Sequence, residues 1–252
     1  MQDSIHETTR KGHEISDSIS PHDPRVPCGS IEEIIKAKAL ELGFDLVGIT
    51  TVEPSIFAEP YREWLANGYA GEMEYLARNV EKRLDPGLML EGAKSLIAVG
   101  MNYYADVEEG AGTPEIGGER GIFARYARGD DYHEVMKARL GVLWETLKAE
   151  YGGEVEGRVF VDTAPVLERE VARRAGLGWF GKNTLLINTR RGSYFFLGEI
   201  LTTAELVPDA AALGGCGTCT RAVEPVRAVW TPVRRGHWSC RINSMRGVAC
   251  PI

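Results

Sequence analysis

Residues 158–187, RVFVDTAPVLEREVARRAGLGWFGKNTLLI, decide how the fold is read. Arg158 to Asp162 predicts a strand, with Val159, Phe160 and Val161 apolar and an acid at its end. Val166 to Ala175 predicts a helix closed by Gly176, and Thr184 to Asn188 a further strand. Downstream, Tyr194 to Leu201 is another strand. Upstream, Phe44 to Thr50 and Ser95 to Asn102 are short buried strands, and Thr113 to Gly118 is a loop. His133 to Tyr151 is an amphipathic helix with Val135, Leu140, Leu143, Trp144 and Leu147 on one side. Residues 55–82 are helical around a turn at Gly68 to Gly71. Ser30 and Glu33 form a capping box for a helix carrying Ile31, Ile34, Ile35, Lys38 and Leu42 and ending at Gly43. Strands and helices mix from end to end. The expected class is therefore α/β (α+β): a single mixed sheet with flanking helices.

At 252 residues and 44% hydrophobic content the chain holds one sizeable core with appendages. Residues 1–28 are polar, contain His6, His13 and His22 among proline breakers, and are expected to be a disordered leader. Residues 29–214 form the main domain and 215–252 a separate tail, expected to be poorly ordered. Nothing reads as a secretory signal or a membrane span, which makes the cytoplasm the default compartment. Five cysteines, an odd number, argue for thiols or metal ligands rather than a disulfide framework. The net charge of −7 excludes a generally basic chain. Locally, Arg158, Arg169, Arg173, Arg174, Lys182, Arg190 and Arg191 outnumber Asp162, Glu168 and Glu170, a patch that could meet phosphates or simply be a solvated helix face.

Four places carry candidate chemistry. Asp162, at a strand end, is placed to act as a general acid, although a cap for the helix beginning near Pro165 explains it more simply on pattern alone. Arg128 to His133 (RGDDYH) is a dense polar turn, readable as a ligand site or as a helix cap at Asp130 or Asp131. Gly176 to Thr184 (GLGWFGKNT) offers close backbone approach, two flat apolar rings and polar tips, which suits a large planar cofactor; a hairpin packed by its aromatics is the plainer reading. Cys216-Gly217-Thr218-Cys219 is a CxxC, but Ala222, Val226 and Arg227 stand where a ferredoxin run would have Cys, Cys and Pro. Zinc held by Cys216, Cys219, Cys240 and Cys250 would match no familiar closed site.

Taken together, these segments resemble the epoxyqueuosine reductases, which finish queuosine synthesis in the tRNA anticodon. The stretches that carry the resemblance are RLDP from Arg83, ARYARGDDYH from Ala124, the run from Arg158 to Ile187, GSYFFLGEIL from Gly192 and CGTCTR from Cys216. The resemblance implies a cobalamin cofactor lined by Arg83, Ala124, Asp131, Tyr132, His133, Asp162, Lys182, Asn183, Thr184, Leu186 and Ser193. It implies Asp162 as proton donor, two 4Fe–4S clusters in a ferredoxin-like module that feed electrons to cobalt, and an external electron donor. Cys216 and Cys219 would be part of one cluster's ligand set, incomplete here. Arg169, Arg173, Arg174, Arg190 and Arg191 are the candidate tRNA surface of a monomer. After Arg221 the family pattern stops, and codons for Glu224 to Arg227 and Ser239 to Arg246 permit family-like residues in a neighbouring frame. A one-base frameshift near residues 222–225 is therefore expected, leaving a remnant of the cluster module. The alternatives are a non-catalytic cobalamin- or tRNA-binding fragment and, without any specific motif, a flavin-dependent reductase.

Overall fold

The computed structural model describes residues 29–104, 115–116, 119–120 and 124–215. The expected leader, Cys216, Cys219 and the rest of the tail lie outside the described residues. α1 (Ile31–Glu41) begins as its sequence dictates: Ser30 Oγ accepts from the Glu33 amide, and the Glu33 carboxylate accepts from the Ser30 amide. β1 (Leu46–Thr51) follows. The expected helical region at 55–82 divides into α2 (Ala58–Ala66), a 3₁₀ turn at Glu74–Ala77 and α3 (Val80–Leu84). β2 is Ser95–Asn102, as predicted. Within the expected loop at 113–118, β3 (Glu115–Ile116) pairs with β4 (Glu119–Arg120). α4 spans Tyr132–Tyr151 and β5 Gly157–Phe160. α5 covers only Glu168–Arg174, two residues later than predicted at its start. β6 (Trp179–Phe180) and β7 (Leu186–Ile187) form a hairpin of their own, and β8 is Phe195–Thr202.

The main sheet has the order β1-β2-β8-β5, and every neighbouring pair is antiparallel. This corrects the expected mixed sheet. Among the described residues no strand is carried by a crossover to a parallel neighbour; β8 inserts between β2 and β5 instead, and the 184–188 segment stays out of the sheet. Alternation along the strands sorts the core into two layers. Ile49, Ile97, Val99 and Ile200 meet Ile35 of α1 and Met136, Leu140, Leu143 and Leu147 of α4 on one face. On the other, Leu96, Ala98 and Leu201 pack against Val171, Ala172 and Ala175 of the α5 region. Gly48 makes that second contact possible, since a β-carbon there would fall 1.9 Å from the Ala175 carbonyl oxygen.

After β8 the chain turns back across the sheet as a strap. The Leu206 amide donates to Ser95 Oγ at 3.0 Å and the Val207 amide to Glu32 Oε1 at 2.9 Å. Asp209 then reaches the outer edge of β1, where its carboxylate accepts from the Ile49 amide at 2.8 Å and its own amide donates to the Ile49 carbonyl at 2.8 Å. Lys36 Nζ holds the same carboxylate at 2.5 Å. Among the described residues, no helix is long and apolar enough to cross a membrane.

Candidate active site

Asp162 stands two residues beyond β5 with φ of 54°, a left-handed backbone that costs a non-glycine residue about 1–2 kcal/mol. The Thr163 amide donates back to the Val161 carbonyl, which closes a tight turn centred on Asp162. Its own amide donates to Glu168 Oε1 at 2.7 Å. A hydrogen bond to a charged group is worth about 1.5–3 kcal/mol, enough to offset the backbone cost. The capping reading of Asp162 is thereby replaced: α5 starts six residues later, and its first side chain reaches back to Asp162 rather than the reverse.

The Asp162 side chain is 60% exposed, not sealed in an apolar cleft, and it is braced from α4. Asp131 caps that helix by accepting from the His133 amide at 3.0 Å, and it also meets His133 Nδ1 at 2.8 Å. The cap aims the next two residues. Tyr132 donates its hydroxyl to Asp162 Oδ2 at 2.8 Å, and His133 Nε2 lies 3.5 Å from the same oxygen. Burial, then the Asp162 hydrogen bond, holds the Tyr132 phenol well above its ordinary range, so it remains a donor. The consecutive Asp131, Tyr132 and His133 and the distant Asp162 are thus one cluster.

Tyr194 and Phe196 of the 192–197 stretch, with Tyr103 and Tyr104, which the motif reading missed, extend this cluster into a shelf. Tyr132 stacks on Phe196 with centroids 3.9 Å apart and planes 2° from parallel. Phe196 meets Tyr103 at 4.6 Å, Tyr103 meets Tyr194 at 5.7 Å, and Tyr194 meets Tyr104 at 5.3 Å. Arg125 caps the far end, its guanidinium 4.6 Å over the Tyr104 ring. Tyr104 and Tyr194 are 50% and 45% exposed. The signal was available as YY at 103–104 and YFF at 194–196, both at the same end of adjacent strands.

Behind Asp162 lies a second carboxyl group that the motifs did not flag. Glu199, in mid-β8, is wholly buried, and neither of its oxygens has a hydrogen-bond partner among the described residues. Burial, reinforced by the nearby Glu168 and Asp162 charges, raises its pKa well above the usual carboxylate value. Burial and then the Asp162 charge push Glu168 up to about 7. Arg83, half-buried on α3 beside Pro86 and Leu167, and Arg169 pull Glu168 the other way.

The glycine loop serves the fold. A β-carbon at Gly178 would lie 2.4 Å from the Ile187 carbonyl oxygen, and one at Gly181 2.4 Å from Ile187 Cδ1. The close approach at these two glycines is between β6 and β7, as in the plainer hairpin reading. Phe180 packs edge-on against Phe57 at 5.7 Å, and Trp179 lies under Gly214. Leu186 is likewise a core residue. Lys182 and Asn183 remain exposed at the hairpin tip, and Thr184, with φ of 66°, offers its carbonyl to Arg169 at 3.0 Å. Ser193 is half-buried next to Tyr194, and Ala124 is exposed next to Arg125.

The arginines of α5 do not form an open cationic face. Arg169 holds Thr184, Arg173 sits over the Phe180 ring at 5.8 Å, and Arg174 donates to the Glu53 carbonyl at 3.1 Å. Arg190 and Arg191 are exposed, with Arg191 3.3 Å from Asp45.

An antiparallel α+β domain that carries a tyrosine-braced acid at a strand end is the class that the fold and the site define. The particular family follows from its relatives, and the chain belongs to the epoxyqueuosine reductases. A family description of epoxyqueuosine reductase QueG, DUF1730, matches residues 83–163. The epoxyqueuosine reductase of Cyclobacterium marinum is 44% identical over 198 residues, covering 76% of this chain and 61% of that protein. The solved epoxyqueuosine reductase from Streptococcus thermophilus superposes with a TM-score of 0.69 at 31% identity, over 78% of this chain and 52% of that one. A crystal structure of epoxyqueuosine reductase with an epoxyqueuosine-modified tRNA-Tyr stem loop gives 0.68 at 30% identity, over 77% and 51%. The chain thus spans about three-fifths of its curated relatives and half of the solved chains.

Proposed function

We propose that this chain contributes the proton-donating site for reduction of epoxyqueuosine to queuosine in a tRNA anticodon, with cobalamin as the cofactor and Asp162 as the acid. The observation that carries the reading is the Asp162 turn: an exposed carboxyl group held in a left-handed backbone by Glu168 and aimed by Tyr132. The residues present fit the cofactor. A corrin is a flat apolar ring with an amide-bearing rim, and here an exposed aromatic shelf adjoins a cluster of hydroxyl, imidazole and carboxyl groups. Lys182, Asn183 and Ser193 add rim donors and acceptors, while Arg83 and Leu186 act from behind, through Glu168 and the core. When bound, cobalamin supplies the electrons that reduce the epoxide-bearing ring.

The chain's own part is proton handling. Tyr132 donates to Oδ2 of Asp162 and His133 Nε2 lies 3.5 Å from the same oxygen, which supports Oδ1 as the oxygen that faces the substrate. Opening one epoxide carbon–oxygen bond leaves charge on that oxygen, which the Asp162 proton neutralises to a hydroxyl; with two electrons taken up in all, that hydroxyl then departs with a second proton as water and leaves the ring alkene. Asp162 then regains a proton from solvent through its exposed side. The exposed Arg190 and Arg191 are the cations offered to tRNA phosphates, and the electrons come from an external donor.

The test is turnover of an epoxyqueuosine-bearing anticodon stem-loop by the purified chain with cobalamin and a chemical reductant, read by mass spectrometry of the nucleosides. Asp162→Asn should bind cobalamin with an unchanged corrin spectrum and lose at least ~100-fold in rate, the scale of general-acid catalysis. A binding fragment without chemistry would give the corrin spectrum and no queuosine from the unmodified chain.

A further inference from the structure

The Asp162 turn does not hold itself. Its internal hydrogen bonds, from the Thr163 amide and the Thr163 hydroxyl, both end on the Val161 carbonyl and span only three residues, and the backbone at its centre is left-handed. Glu168 reaches it across Pro165 from the first position of α5. That helix is a fixed base. Glu170, 3% exposed, accepts from Ser55 Oγ and from the Ile56 amide at 3.1 Å, and Arg169 and Arg174 tie the same helix to Thr184 and Glu53.

We propose that Glu168 is the positioning residue of the Asp162 turn, its carboxyl oxygen gripping the Asp162 amide so that the donor side chain stays against Tyr132. This rests on Asp162 being the proton donor. A plain helix-terminal acid would need only its charge, because any acid is favoured in a first turn. A grip needs an acceptor oxygen at one distance from the helix, 2.7 Å from the amide, whatever its charge. The groups facing Glu168 are consistent with a grip. Burial and the Asp162 charge disfavour its ionised form, the Asp162 amide, Arg169 and Arg83 favour it, and it titrates near neutrality, where a residue kept only for its negative charge would be half-discharged.

Two conservative variants of the full chain separate the readings. Glu168→Gln keeps the acceptor at the same reach and discards the charge; Glu168→Asp keeps the charge and withdraws the oxygen by one methylene. Hydrogen exchange at the Asp162 amide, read by NMR, reports the grip without cofactor or substrate. E168D should lose about 10-fold in protection there and about 10-fold in kcat with little change in KM, while E168Q stays within about 3-fold of the parent in both. The proposal is overturned if E168D retains protection and turnover, or if E168Q fails as E168D does. Should the parent chain show no turnover, the proton-donor reading fails, and the exchange measurement still decides the grip.

Discussion

Tyr132 does two jobs with one side chain: its ring lies flat on Phe196 and its hydroxyl donates to Asp162. Tyr132→Phe separates them. The stack is kept, so the variant should denature within about 1 kcal/mol of the parent, while loss of a bond to a carboxylate should lower kcat by about 10–100-fold. Urea denaturation beside stem-loop turnover measures both. At this scale the sequence was partly legible. The DYH triplet announced both cap and ligand residues, and the structure joins the two because capping by Asp131 is what orients the next two side chains. Glu168 was illegible, since a glutamate in the first helical turn reads as a dipole partner and nothing local shows that its oxygen reaches back six residues. Glu199 had a signal that went unused. It alternates with Leu197 and Leu201 on one face of an apolar strand, where an ionisable group is costly and therefore informative.

Among the elements, the contact of α5 with β1 governs the site most directly, because α5 carries Glu168. Gly48→Ala would drive a β-carbon into the Ala175 carbonyl and push the helix end off the sheet. The expected cost is about 1–3 kcal/mol in urea denaturation, together with faster exchange at the Asp162 amide, although residue 48 touches no part of the site. The elements legible in sequence were those with a strong local signature: the capping box of α1, the unbroken apolar run of β2 and the periodic face of α4. The stretch from Arg158 to Ile187 was read correctly in kind and wrongly in extent. Pro165 and the side-chain tie from Glu168 keep residues 163–167 out of the helix, and β7 pairs with β6 because glycines let two short strands close on each other. Antiparallel order was beyond reach, since it depends on β8 finding two strands far away in the chain.

For the whole molecule, the carboxyl cluster sets a pH dependence of stability. Glu168 and Glu199 both bind protons more tightly in the folded chain than at the ordinary value of 4.5. Their contribution is therefore complete below about pH 4.5 and declines as pH rises, through about 7 for Glu168, with Glu199 acting in the same direction. The Glu168 part amounts to at most about 3 kcal/mol. Urea midpoints between about pH 5 and 8 should fall with this slope, and Glu199→Gln should flatten it, since Gln cannot ionise.

The strap over β1 bears on how the protein behaves in concentrated solution. An uncovered outer strand is a template on which another molecule can lay a strand of its own, the first step toward fibrous or amorphous aggregates. Asp209 fills both backbone valences of Ile49 in the middle of that border and so keeps neighbouring molecules from docking there. Asp209→Ala should leave the chain folded yet raise its light scattering steeply with concentration; colloidal behaviour indistinguishable from the parent's would mean that the border is guarded elsewhere.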